Sequence, residues 1–291
     1  MTQEQLVEHL YEFDIKTFSG LDTSTLSRWE RGTTQPKFSK QVGIIRYFQE
    51  LGKEAFPCID HYTLSEIDNF ICRTCVENIL GKNKQIILNF PSALMDFREM
   101  HVNRIEDPSK FKPAYALLMD MHKATNVPYT QNSLEAFEAW TLDPNSFFLA
   151  CVYKDAFIGL LFTVKLKQNI FEQLMNFEIK RSEITEKDFA SPDEEGSVIL
   201  LASYAINTKA AIMLFSMLYA YLIKNQKKIL EVGVMTSFEE VKKVVKNMKL
   251  THYKSKILEE GIKVDTYRAG LKKVLASENV AKMIFSQSIK V

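Results

Sequence analysis

Apolar positions spaced three and four apart set the rhythm of the first eighty residues, the spacing that puts side chains on one side of a helix. EQLVEHLYEF, FDIKTFSG, TSTLSRWER and SKQVGIIRYFQELG read as four short helical pieces within residues 1–52. Gly20, Gly32 with Pro36, and Gly52 with Pro57 punctuate them. Such residues allow left-handed turns or deny a helix its amide. A longer helix is predicted over 63–81, where positions 64, 67, 70, 71, 75, 76, 79 and 80 are apolar. Thr63 can cap it, Glu66 completes a capping box, and Gly81 can end it.

From about residue 98 the texture changes. MHVNRI reads as a short strand and KPAYALLMDMHKA as a helix with Pro113 in its first turn. FFLACVY and FIGLLFTV are β-rich runs separated by Lys154, Asp155 and Ala156, a hairpin signal. SVILLASYAI, KILEVGVM and VDTYRAGL read as further strands, and KAAIMLFSMLYAYLIKN as a long apolar helix. SFEEVKKVVKNMK is a helix in which Ser237 and Glu240 form a capping box. The predicted fold class is multidomain α and α/β, an all-α N-terminal unit followed by a mixed α/β domain. The predicted segments are 1–56, a helical bridge over 57–97, the mixed domain over 98–276, and a tail or short docking helix over 277–291.

A length of 291 residues suits two domains. Hydrophobic residues make up 46% and charged residues 25%, enough for a full core and too apolar for disorder. The net charge of +1 points to no partner. Residues 1–60 carry seven Lys or Arg against nine Asp or Glu. Affinity for nucleic acid is largely electrostatic, so any such contact must come from the placement of a few basic residues. The polar, acidic start MTQEQLVEHL gives no sign of a secretory signal. The apolar run AIMLFSMLYAYLI (211–223) is too short for a bilayer, so no membrane association is expected. Four cysteines make no disulfide framework, and a reducing cytoplasm is the expected location.

The stretch LDTSTLSRWERG (21–32) has a built-in start and stop. Asp22 or Thr23 can accept the free amides of a helix beginning, and Gly32 permits a left-handed end. Leu26 and Trp29 share one face, leaving Thr23, Ser24, Ser27, Arg28 and Arg31 on the rest of the surface. Short hydroxyls can approach base edges, and an Arg one turn later can reach guanine or a phosphate. Leu21 after Gly20, the run Leu26-Ser27-Arg28-Trp29-Glu30-Arg31-Gly32, and Pro36 resemble the Cro/C1-type (XRE) helix-turn-helix family over about the first 55 residues. The resemblance implies a recognition helix in the major groove of double-stranded DNA. Thr23, Ser24, Ser27 and Arg28 would read bases, Arg31 and Lys37 would meet phosphates, and Glu30 would orient its neighbours. The family's usual small residue in the preceding helix is absent, Lys16 and Thr17 standing there instead. One recognition helix covers only a few base pairs, so a homodimer is expected.

The order strand, helix, hairpin, strand, long helix, strand, helix, strand resembles the GNAT acetyltransferase fold over about residues 98–275. In that family the junction between strand and long helix holds the pyrophosphate of an acyl-CoA on helix N-terminal amides. The matching positions are Asn207, Thr208, Lys209, Ala210 and Ala211, where the family has an Arg or Gln and two glycines. Alanine narrows the approach of an anion to the backbone, and Lys209 could supply charge instead. The family's Asn and its Tyr acid fall at Phe238 and Val245, neither of which can donate a proton. SVILLASYAI offers only Ser203 and Tyr204 as polar groups, Tyr267 lies on another strand, and no catalytic base can be nominated. The expectation is therefore a transcription regulator whose GNAT-like domain senses an acyl ligand such as acyl-CoA or pairs subunits. The alternative is an active N-acyltransferase targeted by its helix-turn-helix.

Other chemistry is sparse. Cys58, His61, Cys72 and Cys75 have zinc-like spacing, but Cys72 and Cys75 fall in an apolar helix where cysteine acts as a small hydrophobe. No metal is expected. His101 and His122 have no partners for a triad. KKVVKNMK (242–249) reads as a solvated basic face. The link between Lys165 and Gly196 is long enough to be a lid, a dimer contact or a surface excursion.

Overall fold

The Thr2 hydroxyl accepts the Gln5 amide while the Gln5 side chain accepts the Thr2 amide, and this closed capping box begins the first helix. The computed structural model describes residues 1–52, 54–57, 59, 61–81, 87, 95–106, 112–116, 134–258 and 261–285. Helix α1 is Gln3–Phe13, α2 Ile15–Phe18, α3 Thr23–Glu30 and α4 Phe38–Leu51. They enclose Leu10, Phe18, Leu21 and Tyr47, with Val7, Trp29 and Ile44 at the margin. The second predicted piece shrinks to a single turn. Asp14 is extended and caps it by accepting the Thr17 amide and hydroxyl, and Gly20 at φ +70° turns the chain away. Gly43 lets α4 lie against α2, because a Cβ there would stand 2.8 Å from the Phe18 ring.

The helix expected over 63–81 is two helices, α5 (Leu64–Phe70) and α6 (Arg73–Leu80). Thr63 and Glu66 form the expected capping box and Gly81 ends α6 at φ +58°. The break at Ile71 and Cys72 is tertiary in origin. The Cys72 amide donates to the Met283 carbonyl at 2.7 Å, outside its own helix, and Arg73 reaches back to Asp68 in a two-pronged ion pair. The apolar spacing continues across the break, so periodicity alone cannot show it.

The strands are β1 (Met100–Arg104), β2 (Ser146–Tyr153), β3 (Ala156–Leu166), β4 (Gly196–Ala205), β5 (Ile229–Thr236), β6 (Thr251–Ile257) and β7 (Lys263–Gly270). They form one sheet in the order β1-β2-β3-β4-β5-β7-β6. Only β4 and β5 run parallel; every other neighbouring pair is antiparallel. Lys154 and Asp155 both have positive φ at the β2–β3 turn, the two-residue geometry whose twist matches flanking strands. The helices are α7 (Leu134–Leu142), α8 (Gln168–Met175), α9 (Thr208–Lys224), α10 (Glu239–Asn247), α11 (Leu271–Leu275) and α12 (Glu278–Phe285). Residues 112–116 are helical, and the rest of the helix expected after Pro113 lies outside the described residues. β6 is fully exposed and escapes a reading based on buried alternation.

One face of the sheet packs a core with α5, α6, α9, α10, α11 and α12. The other carries Trp140 together with Phe171, Leu174, Met175, Ile184 and Phe189 of the link between β3 and β4. That link is therefore part of the core and not a surface excursion. Its α8 sits so close to β5 that a Cβ on Gly233 would lie 2.7 Å from Phe171. Helix α10 begins at Glu239, where the Phe238 amide donates to Thr236 Oγ1; Ser237 is not its cap. The N-terminal helices join the sheet through α4. Arg46 Nε donates to the Ala276 carbonyl at 3.1 Å and Lys272 Nζ to the Glu50 carbonyl at 2.6 Å. Gln226 exchanges two hydrogen bonds with the Phe56 backbone, and Phe56 stacks on Phe285. Of the tail or short helix expected over 277–291, Glu278–Phe285 forms α12 and packs on the body, and residues 286–291 lie outside the described residues.

Candidate functional site

Pairing between the parallel strands stops at Leu200↔Val234, yet β4 runs on to Ala205 and β5 to Thr236. The two strands part there. The β3–β4 register also shifts between Phe162 and Thr163, which face Ala202 and Leu200. Leu201 is the extra residue of that bulge, and a bulge bends its strand. Arg181, from the link, donates from Nη1 to the Leu201 carbonyl at 3.1 Å. Further along, Ile87 pairs with Ala205 in a parallel bridge. Ser203 Oγ is buried and has no hydrogen-bond partner among the described residues, and Tyr204 is buried. Neither Leu201–Ala205 nor Val234–Thr236 carries a carboxylate or an imidazole.

The opening ends at the start of α9. Asn207 is buried and extended, and its Oδ1 accepts the Ala210 amide at 2.9 Å. The Ala211 amide donates to the Asn207 carbonyl. A helix leaves its first amides outside its own ladder; here the cap takes up that of Ala210. Ala210 and Ala211 point their methyls into the core, Thr208 is half-buried and Lys209 is exposed. Of the five residues expected to hold a pyrophosphate, Ala210 and Ala211 thus have amides already engaged, the first by the Asn207 side-chain oxygen and the second by the Asn207 backbone carbonyl.

The wall beside β5 is built from charges that pattern reading missed. Asp265 on β7 is 3% exposed. It pairs with Lys242 of α10 at 2.5 Å, accepts the Ser255 hydroxyl at 2.5 Å, and has His252 and Lys263 at 3.7 Å. Burial pushes its pKa up, but the hydrogen bonds from Lys242 and Ser255 outweigh burial and bring it down to about 2. Lys242 also pairs with Glu239 and is held charged by both carboxylates. It is therefore not part of a solvated basic face, although Lys243, Lys246 and Lys249 are exposed. Burial raises the pKa of Tyr267, whose ring meets His252 edge-on. On the opposite face Arg268 bridges Glu172 of α8 and Glu231 of β5, and lies between the Phe171 and Tyr253 rings. Gln168 extends the network to Ser197 and Glu231. The available signal was a pair of charges, Asp265 and Arg268, inside an otherwise strand-like run.

The strand order, the single parallel pair and its parting above a long helix realise the topology expected of the C-terminal part. That part is similar to solved GNAT acetyltransferases. No protein-family model matches the sequence, and no curated protein matches it. Solved structures similar to this part include FeeM, an N-acyl amino acid synthase from uncultured soil microbes. The identity is 9% and the TM-score 0.46, over 65% of this chain and 97% of that one. An acetyltransferase of the GNAT family from Desulfovibrio desulfuricans is 8% identical, with a TM-score of 0.40 over 59% and 99%. Arabidopsis thaliana Naa50, solved with a bisubstrate analogue, is 11% identical, with a TM-score of 0.37 over 59% and 98%.

In the N-terminal unit, Asp22 caps α3 by accepting the Thr25 amide at 2.6 Å. Leu26 is buried at 4% exposure, and Trp29 is half-buried beneath Lys40. Ser24, Arg28, Arg31 and Lys37 are exposed, while Thr23 and Ser27 are half-buried. Arg31 Nε donates to the Ser27 carbonyl, which draws its head along the helix. Glu30 accepts a bond from Gln3 of α1 and so ties α3 to the first helix. Cys58 and His122 lie outside the described residues. Cys72 and Cys75 are half-buried, the His61 ring lies tilted against that of Tyr62, and His101 is exposed on β1. No group of three metal-ligating side chains stands together among the described residues. None of their helices is long and apolar enough to cross a membrane.

Proposed function

We propose that the C-terminal domain binds an acyl thioester of coenzyme A and serves N-acyl transfer, and that the N-terminal helix-turn-helix brings it to double-stranded DNA. The observation that carries this reading is the parting of β4 from β5 beside the start of α9. A strand edge left by its neighbour offers N–H and C=O groups to an extended arm that carries amides. The helix end beside it favours a phosphate. The fit at that end is partial: the N-terminal end of α9 and the Lys209 charge serve the anion, while Asn207, Ala210 and Ala211 shape the turn. In the transfer the amine nitrogen bonds to the acyl carbon, the carbon–sulfur bond breaks, and the amine's proton balances the departing thiolate. Calorimetry of the full chain with acetyl-CoA and longer acyl-CoAs, with thiol release measured on a panel of amines, tests this reading. Turnover that disappears in Lys209→Ala or Tyr204→Phe supports it. Absence of binding by every acyl-CoA removes it.

A second reading is favoured by the exposed Ser24, Arg28, Arg31 and Lys37 together with the lack of any acid or imidazole on the parted strand ends Leu201–Ala205 and Val234–Thr236. On that reading the chain is a cytoplasmic Cro/C1-type transcription regulator and its GNAT-like domain senses an acyl ligand without turnover. Two chains form a homodimer, and a ligand that prefers one dimer arrangement changes the spacing of the two recognition helices. Residues 1–56 form the DNA-reading unit, 57–97 the bridge and 98–276 the ligand unit. Selection of bound sequences from a random DNA pool, with and without acyl-CoA, tests it. An enriched motif whose yield responds to acyl-CoA supports regulation, and a pool that stays random ends it.

A further inference from the structure

Ile87 belongs to the stretch that joins the N-terminal helices to the sheet, yet it sits at the candidate site. It is 1% exposed and pairs with Ala205. At that level β3 already holds one edge of β4, through Gly159↔Ala205 and the Ile206 amide donating to the Ile158 carbonyl. Ile87 therefore takes the other edge, the one β5 leaves beyond Leu200. Met95, from the same stretch, accepts a hydrogen bond on its sulfur from Asn207 Nδ2 at 3.3 Å. Residues between α6 and β1 thus hold both the strand edge and the cap of α9.

A buried strand edge needs its polar groups paired, and Ile87 meets that need from within the chain. An extended ligand arm that used the same amide and carbonyl groups would meet them too. The two occupants exclude each other, because each backbone group has one position for a partner along the edge.

We propose that Ile87 is an intramolecular occupant of the β4 edge that an acyl thioester must displace, so that ligand entry and release of Ile87 are one equilibrium. This rests on the acyl-thioester reading above. Affinity is then reduced by the fraction of molecules in which Ile87 holds the edge. Release has a path to the N-terminal unit: α6 packs with α9 in one core and its Cys72 amide is bonded to α12, while Arg46 of α4 is bonded to Ala276 just before α12.

The test uses the full chain and acetyl-CoA. Ile87→Ala weakens the occupant and is expected to bind acetyl-CoA at least tenfold tighter than the parent, with Ile87→Val close to the parent. Equal, measurable affinity in the parent and in folded Ile87→Ala overturns the displacement and leaves the acyl-thioester reading standing. Binding by neither ends both. A second measurement needs no variant. In the parent, saturating acetyl-CoA is expected to speed hydrogen exchange in the peptide containing Ile87 while slowing it in the peptide containing Ala205. Unchanged exchange at Ile87 with slowed exchange at Ala205 overturns the proposal.

Discussion

Replacing Asp265 by Asn isolates the charge that fixes the wall beside β5. The carboxylate is 3% exposed and its pKa lies at about 2, against an ordinary 3.8. A folded-state pKa below the unfolded value means that the unfolded chain binds the proton more readily. The resulting stability is fully present above the unfolded pKa and is lost as pH falls through the folded one. At about 1.4 kcal/mol per unit the shift is worth about 2 kcal/mol near neutrality. Asn also leaves the Lys242 ammonium, only 12% exposed, with Glu239 alone. Removal of one member of a buried pair costs about 3–5 kcal/mol, and the surviving partner places this case at about 3 kcal/mol. Urea unfolding of parent and variant at pH 7, 4 and 2.5 reads it. The difference between them is expected to shrink by about 1.5 kcal/mol from pH 7 to 2.5 as the parent's carboxylate takes up its proton. A difference that stays flat across this range, or is absent at pH 7, would refute the claim that Asp265 is a paired, buried anion.

Three other outcomes follow from particular contacts. Gly233→Ala forces a methyl against Phe171 and should cost about 1–3 kcal/mol; Phe171→Leu in the same chain should recover part of it, and strictly additive chemical-denaturation energies would show that α8 does not lie on β5. Asn207→Ala removes the cap of α9 and should lower stability by about 1 kcal/mol; an unchanged urea midpoint contradicts the cap. Arg28→Ala should weaken binding to a selected DNA site by about 1–3 kcal/mol in gel-shift titration and relax base preference there; full retention of affinity and preference removes Arg28 as a reader.

Much of the fold was legible in the sequence because its signals are local. The capping boxes at Thr2 and Thr63 use residues three apart, and the Lys154–Asp155 turn is set by its two flanking strands. β-rich runs gave six of the strands, and the apolar α9 declared itself by length. β6 carries no buried face to impose a pattern, so it stayed hidden. The candidate site was less legible. Its place at the junction of β4 and α9 could be read from element order, but Asn207 takes up the Ala210 amide there, and that depends on a side-chain rotamer.

By itself, then, the sequence determined six of the strands, the helices of the N-terminal unit and the long α9, and which face of α3 carries Ser24 and Arg28. Those properties follow from backbone sterics and apolar spacing within a few residues. Tertiary structure alone decided that 63–81 breaks where Met283 meets Cys72, that Phe171, Leu174, Met175, Ile184 and Phe189 of the β3–β4 link enter the core, that Lys242 and Asp265 pair, and that Ile87 fills the edge β5 leaves. Each of these joins groups far apart in the chain. Their energy comes from burial and from polar groups finding partners inside the fold, which no local pattern encodes.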